Sequence, residues 1–318
     1  MSIVLSVIAI VGGVALIVWG AETFAKHLAV ASARLGVSTF ALAILLAGAE
    51  PEELATAVTA SLRHSPGIAY GDVIGANIAI CLVALGVGAV IAPLPFGPGV
   101  RQYALLALPA GVVAAGLAWD GQLSRFEGLL LVAIYVAYVA IIWVRERRPP
   151  TLGETGELAE ARDEADNPQR RVGIELLTVV AGVAAMAIGA ILLVEAVRRL
   201  TDVESAQTLL GLTVVGFATA VELVVLAYSA ARHGVSEAVV AGVIGSFAYN
   251  ATMTLGAGAI ARPLHLIDSD LLHGPWLAML AALGLVLALV WRPQQLDRPR
   301  GIALLAAYPI VLLVLAVA

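Results

Sequence analysis

Gly48-Ala49-Glu50-Pro51-Glu52-Glu53-Leu54 interrupts a segment otherwise apolar enough to cross a bilayer, with the run Thr39 to Ala47 before it and a second run ending near Leu62 after it. Ionisable side chains at membrane depth are costly, so they usually face a protein interior and mark an ion or proton path. Proline breaks a helix and suits the first turn of a new one, and Pro51 therefore predicts that a half-helix begins here. The acids then sit at its N-terminus, where unpaired N–H groups and the macrodipole favour negative charge, and freed carbonyls nearby are suited to complete a cation's oxygen shell. Glu50 and Glu53, three apart, are expected to share a helical face. Glu52 is expected to point elsewhere once the helix resumes, with room for one of the three acids to reach an interface.

The whole chain supports a membrane setting. Of its 318 residues 61% are hydrophobic and only 13% charged, and the mean hydropathy is +0.97, whereas a soluble domain carries about 25% charged residues. The net charge of −5 comes with an acidic excess concentrated in one polar segment and no basic groove, so no nucleic-acid partner is expected. Cys81 is the single cysteine, which excludes an intrachain disulfide and reads as a small core residue. Met1 to Trp19 lacks a basic n-region and reads as the start of a first membrane helix.

Runs of about 20 apolar residues, the length that spans a hydrocarbon core, fall near residues 2–22, 37–62, 68–93, 102–119, 124–144, 172–197, 206–231, 236–261, 271–291 and 300–317. These predict an all-α polytopic membrane protein of about ten helices. Residues 1–144 form one five-helix half and 172–318 the other, with a polar linker at 145–171 rich in Glu, Asp and Pro between them. With loops assigned alternately to the two sides, thirteen Lys and Arg residues share the linker's side, and only Arg63, Arg125, Arg198, Arg199 and Arg262 lie opposite. Cytoplasmic loops carry the basic excess, so the linker is expected inside and both termini outside, in the cell membrane.

The two halves are copies. At an offset of 169 residues Glu53 meets Glu222, Leu54 meets Leu223, Arg63 meets Arg232 and His64 meets His233. At an offset of 170, Val73-Ile74-Gly75 meets Val243-Ile244-Gly245, Leu85-Gly86 meets Leu255-Gly256, and Pro93-Leu94 meets Pro263-Leu264. Five helices is an odd number, so the second copy must lie upside down relative to the first. Inverted repeats place substrate sites near the midplane, where interrupted helices of the two copies meet. The shared glycines read as positions of close helix packing.

At these residues the chain resembles the calcium/cation antiporter superfamily, which includes sodium/calcium and proton/calcium exchangers. Gly20-Ala21-Glu22 and Leu35-Gly36-Val37-Ser38 are similar to the family's opening, and Gly189-Ala190 with Leu210-Gly211-Leu212-Thr213 echoes it in the second half. The family's first repeat typically reads G-T-S-x-P-E and then G-N-V-x-G-S-N. Here Gly48 and Glu53 match, Ala49 and Glu50 replace Thr and Ser, and the proline stands one place early. Gly71, Gly75 and Asn77 match the second motif, with Asp72 for Asn and Ala76 for Ser. In the second repeat Thr219 and Glu222 are kept, Ser246 matches, Phe247 replaces Asn, and Asn250 falls at a ligand position often held by Asp or Asn.

The resemblance implies a secondary antiporter, not an enzyme, that exchanges a divalent cation for H⁺ or Na⁺ by alternating access. It implies ion ligands at Glu53 and Glu222, joined by Glu50, Asp72, Asn77, Thr219, Ser246 and Asn250. Ca²⁺ takes six to eight hard oxygens and Mg²⁺ a stricter octahedron; a site of carboxylates and carbonyls without Cys or His fits either, and Ca²⁺ is the expected cargo. No cofactor is expected, and the partners are inorganic cations and the bilayer. Ala49, Ala76 and Phe247 supply no side-chain oxygen for sodium, whereas Glu50 and Asp72 add carboxyls suited to carry protons. Asp72 also reads as a charge paired with Arg63 or His64 near a helix end. Glu22, Glu195 and the histidines His27, His64, His233, His265 and His273 are expected at interfaces. A transport-inactive sensor or scaffold of the same fold and an intramembrane carboxylate enzyme are the rival readings. Single cysteines placed between Glu154 and Asp166 in a Cys81→Ala background are expected to react with an impermeant reagent only from the cytoplasmic side. Labelling of intact cells would reverse the orientation.

Overall fold

The computed structural model describes residues 3–34, 50–146, 172–233 and 236–317. The Leu35-Gly36-Val37-Ser38 echo, the run Thr39 to Ala47, Gly48, Ala49 and the linker from Arg147 onward lie outside the described residues. Arg145 and Glu146, assigned to the linker by sequence, instead close a helix.

The chain opens with α1 (Ile3–Arg34), whose 32 residues span about 48 Å at 1.5 Å per residue, more than a hydrocarbon core needs. Next come α2 (Pro51–Leu62) and α3 (Pro66–Ala79), each with a proline in its first turn. α3 continues through a π turn (Ile80–Ala84) into α4 (Leu85–Ile91), and α5 (Pro98–Leu117) and α6 (Arg125–Glu146) complete the half. The second half runs α7 (Val172–Leu200), α8 (Glu204–Leu210), a π turn (Gly211–Val215), α9 (Gly216–His233) and α10 (Ser236–Ala248). A further π turn (Tyr249–Thr254), α11 (Leu255–Ala261), α12 (Asp270–Val290) and α13 (Arg298–Val317) follow. Among the described residues eight helical stretches are long and apolar enough to cross a bilayer. The expected segment 236–261 is continuous through its π turn, and the segment 37–62 is described only from Glu50.

Four two-residue strands reveal the inversion. β1 (Leu94–Pro95) pairs with β4 (Gln295–Leu296), and β2 (Gln122–Leu123) pairs with β3 (Leu264–His265), both antiparallel. β1 and β2 are separated by the single spanning helix α5, so the two ladders lie at opposite membrane faces. β1 and β3 occupy the same place in their respective halves, yet they sit in different ladders. The halves are therefore upside down relative to each other, and each ladder ties one half to the other.

Glycines set how closely the halves approach. A methyl group at Gly13 would stand 2.8 Å from the Gly189 carbonyl oxygen, and one at Gly20 would stand 2.7 Å from that of Gly182. α1 and α7 thus run antiparallel with their backbones in contact, as small residues permit in lipid. Pro66–Ile91 lies deep in the bundle, 78% of its most apolar stretch being buried, against 11% for Arg298–Val317 on the periphery. Gly75 marks the tightest approach: a Cβ there would meet the Leu212 carbonyl oxygen at 2.2 Å, whereas at Gly116 it would meet nothing within 4 Å. Backbone cannot yield as a side-chain tip can, so Gly75→Ala is expected to destabilise the protein by about 1–3 kcal/mol or more, and Gly116→Ala to be close to neutral. Thermal unfolding of the two purified variants checks this, and equal midpoints would refute the packing account.

Candidate cation site

Pro51 occupies the first turn of α2, and Glu50 stands at its N-cap in a non-helical conformation. Glu52 and Glu53 follow within the first turn, where backbone N–H groups have no intrahelical acceptor. The three acids are 6%, 2% and 0% exposed, and one carboxylate oxygen from each lies within 4.8 Å of the others. The expectation that Glu52 points away, or that one acid reaches an interface, is thus overturned. Glu50 precedes the helix and so is not held to the wheel that separates i from i+2, and flexible side chains let all three carboxylates converge.

Two like charges 4 Å apart repel by roughly 4 kcal/mol even at an effective dielectric of 20. Three buried carboxylates at such spacing need a cation or protons between them. Glu50 and Glu52 each bring a carboxylate oxygen within 4.8 Å of the other's, so with no cation between them a shared proton is what relieves their repulsion. Neither oxygen of Glu53 meets a donor from another residue.

The other acids and amides come from three further helices. Asp72, on α3, is fully buried, and its Oδ1 accepts a hydrogen bond from Thr219 Oγ1 of α9 at 3.1 Å, while Oδ2 has no donor. The alternative pairing of Asp72 with Arg63 or His64 is not found: eight residues of chain carry Asp72 up its helix and away from that loop, and Arg63 lies 4.0 Å from Glu195 instead. Glu222, half-buried one turn beyond Thr219 on α9, is near enough to act electrostatically on Glu50, Glu52 and Glu53. Ser246 Oγ, on α10, donates to Glu50. Asn77 Nδ2 donates to the Phe247 carbonyl at 3.2 Å and leaves its Oδ1 without a donor. Asn250, in the π turn, accepts from Thr254 at 3.3 Å. Such turns leave the ordinary helical hydrogen-bond ladder and recur at functional sites.

The structure brings Glu50, Glu53, Glu222, Asp72, Thr219 and Ser246 into one neighbourhood, with Asn77 one residue away through Phe247. Asn250 is buried in the same π turn as Tyr249. Sequence reasoning set Glu52 aside as pointing elsewhere and passed over Tyr135 and Tyr249, whose rings pack edge to face at 5.2 Å and lie close enough to Glu50 to sense its charge. Nothing in an apolar run distinguishes a tyrosine that walls a site from one that fills a core. Glu195 pairs with Arg198 at 3.4 Å and Arg199 at 3.0 Å near the end of α7, whereas Glu22, read from the sequence as lying near a helix end, is exposed within α1, which continues to Arg34. His27 departs from expectation: it lies inside α1 and contacts buried Glu175 at 2.5 Å. Cys81 is buried, in keeping with its reading as a core residue.

Inverted repeats that meet at buried carboxylates, with half-helices and π turns around them, define a secondary transporter of cations. The chain belongs to the sodium/calcium exchanger protein family, whose model matches residues 3–144 and 174–317. A membrane protein of Methanocaldococcus jannaschii is 26% identical over 296 residues, 93% of this chain and 90% of its own length. Among solved structures, the sodium-calcium exchanger NCX_Mj superposes with a TM-score of 0.62 at 23% identity, covering 97% of this chain and 98% of its own. The H⁺/Ca²⁺ exchanger CAX superposes with a TM-score of 0.70 at 16% identity, covering 99% of this chain and 84% of its own. The protein is accordingly an integral membrane cation antiporter of the calcium-exchanging class.

Proposed function

We propose that Glu50, Glu52, Glu53 and Glu222 bind Ca²⁺ between the inverted halves, with Asp72, Thr219, Ser246, Asn77 and Asn250 completing or positioning the oxygen shell. The observation that carries this reading is Glu53, which is fully buried, has both oxygens without a donor from another residue, and faces other carboxylates. A hard divalent cation takes oxygen ligands and compensates charge that protein groups leave uncompensated. The two five-helix halves, 1–144 and 172–318, move as units around this fixed site, joined by a cytoplasmic linker at 145–171 with both termini outside the cell membrane. Glu53→Gln and Glu222→Gln are expected to abolish Ca²⁺ flux into proteoliposomes while the purified variants elute and melt as folded protein. Wild-type flux in either would sink the assignment.

The counter-ion in this reading is H⁺. Two features support it: the Glu50, Glu52 and Glu53 carboxylates converge within 4.8 Å and call for protons whenever no cation sits between them, and Ala49, Ala76 and Phe247 supply no side-chain oxygen for sodium. Each Ca²⁺ that enters displaces protons from the carboxyls, and each that leaves is replaced by protons, so charge compensation is kept in both states. Sodium-free proteoliposomes carrying a pH dye are expected to report proton movement driven by Ca²⁺, reduced in Glu50→Gln. Brisk Ca²⁺ exchange that needs Na⁺ and moves no protons is the contrary result.

A further inference from the structure

Phenol groups continue the carboxylate cluster toward the membrane face where α5 begins and α6 ends. Tyr249, in the π turn that follows α10, packs edge to face on Tyr135 of α6 with ring centroids 5.2 Å apart. Tyr138 comes three residues after Tyr135, so the two share one face of α6, and their ring centroids are 6.4 Å apart. Tyr103 of α5 lies within electrostatic reach of the Tyr138 hydroxyl. Tyr249, Tyr135, Tyr138 and Tyr103 are 5%, 1%, 4% and 3% exposed.

The run has a direction. Tyr135 stands about 15 Å along α6 from Arg125, close to its middle, and Tyr138 about 4.5 Å further toward Glu146. Tyr103 stands about 7.5 Å from the start of α5, which follows β1, and its neighbour Gln102 is exposed. At the inner end Tyr135 is close enough to Glu50 to sense its charge. The hydroxyls thus lead from the acids to just beneath one membrane face.

Filling space does not require them. The Tyr138 hydroxyl is buried and has no hydrogen-bond partner among the described residues, although buried hydroxyls are as a rule bonded to protein or to an ordered water. A phenylalanine would occupy the same volume without the cost of burying that oxygen. Nor does the repeat impose the run. At an offset of 173 residues (295 − 122) Gln122-Leu123 meets Gln295-Leu296 and Tyr135 meets Tyr308, but Tyr138 meets Val311.

We propose that Tyr135, Tyr138 and Tyr103 form a proton relay between the carboxylate cluster and water at the membrane face where α5 begins. The inference rests on the proton coupling proposed above. The proton that entering Ca²⁺ displaces from the cluster bonds to the Tyr135 oxygen while Tyr135 gives up its own hydroxyl proton. That proton reaches Tyr138 through a bridging water, for which the Tyr138 hydroxyl is available, and the same substitution repeats at Tyr103. Water at the face takes the last proton, and each phenol ends with the one proton it began with. A hydroxyl both donates and accepts, so no phenol has to ionise.

The test reconstitutes the full-length protein in sodium-free proteoliposomes and compares two readouts. One is proton movement driven by a Ca²⁺ gradient. The other is exchange of radiolabelled for unlabelled Ca²⁺, which needs no proton because one cation replaces another. Tyr138→Phe and Tyr103→Phe are each expected to slow the proton movement about tenfold or more and to leave Ca²⁺ self-exchange at the wild-type rate. Because Tyr138→Phe removes an oxygen without a partner, its unfolding midpoint is expected to equal or exceed that of wild type. Wild-type proton movement in either folded variant, or equal slowing of both readouts, would overturn the relay and leave proton coupling standing. No Ca²⁺-driven proton movement in the wild-type protein would overturn proton coupling and the relay with it.

Discussion

Negative charge buried without compensating positive charge is the condition around which this molecule is arranged. Glu50, Glu52 and Glu53 crowd the start of one half-helix, Asp72 lies fully buried on the next helix, and Glu222 approaches from the opposite half. In a medium without water each ionised carboxylate is costly, and several together are untenable unless cations or protons accompany them. The helix N-terminus at Pro51 contributes a partial positive charge worth a fraction of what three acids need. What remains must be supplied by cations or protons, and in the function proposed above these are the ions that exchange.

The inverted architecture lets such a site face either side in turn. Each short ladder joins one half to the other, and the two ladders sit at opposite membrane faces. Asp72 is held by Thr219, 147 residues away, and Glu50 by Ser246, 196 residues away, so neither half contains a finished site. The glycine contacts, Gly75 on Leu212 above all, press the halves together where side chains would hold them apart. Close packing of this kind has discrete arrangements with little in between, which suits a transporter that must be closed on one side before it opens on the other.

Much of this could be read from residue order alone. Runs of apolar residues long enough to cross a bilayer report their own helices, because hydrocarbon demands that every backbone group bond within its own segment. The recurrence of Glu53 at Glu222 and of Val73-Ile74-Gly75 at Val243-Ile244-Gly245, together with an odd number of helices per half, forces the inversion. Pro51 announces the half-helix, and the acids around it announce the site. These are local or periodic signals, written in neighbouring positions or in a constant offset.

The partners of those acids were another matter. A helical wheel separates Glu52 from Glu50 and Glu53, yet the chain enters the helix only at Pro51, and all three carboxylates converge. Asp72 offered two readings, and the choice fell to Thr219 because α9 packs against α3 through Gly216, whose own Cβ would stand 2.7 Å from the Asp72 carbonyl oxygen. Tyr135 and Tyr249 became walls of the site only when α6 and the π turn were brought edge to face. The sequence by itself determined the helices, the repeat, its inversion and the position of the buried charge, since each depends on spacing along the chain. Only the tertiary structure decided which oxygens meet around that charge, because contacts across two interleaved halves are set by backbone approach and leave no mark on the residues between them.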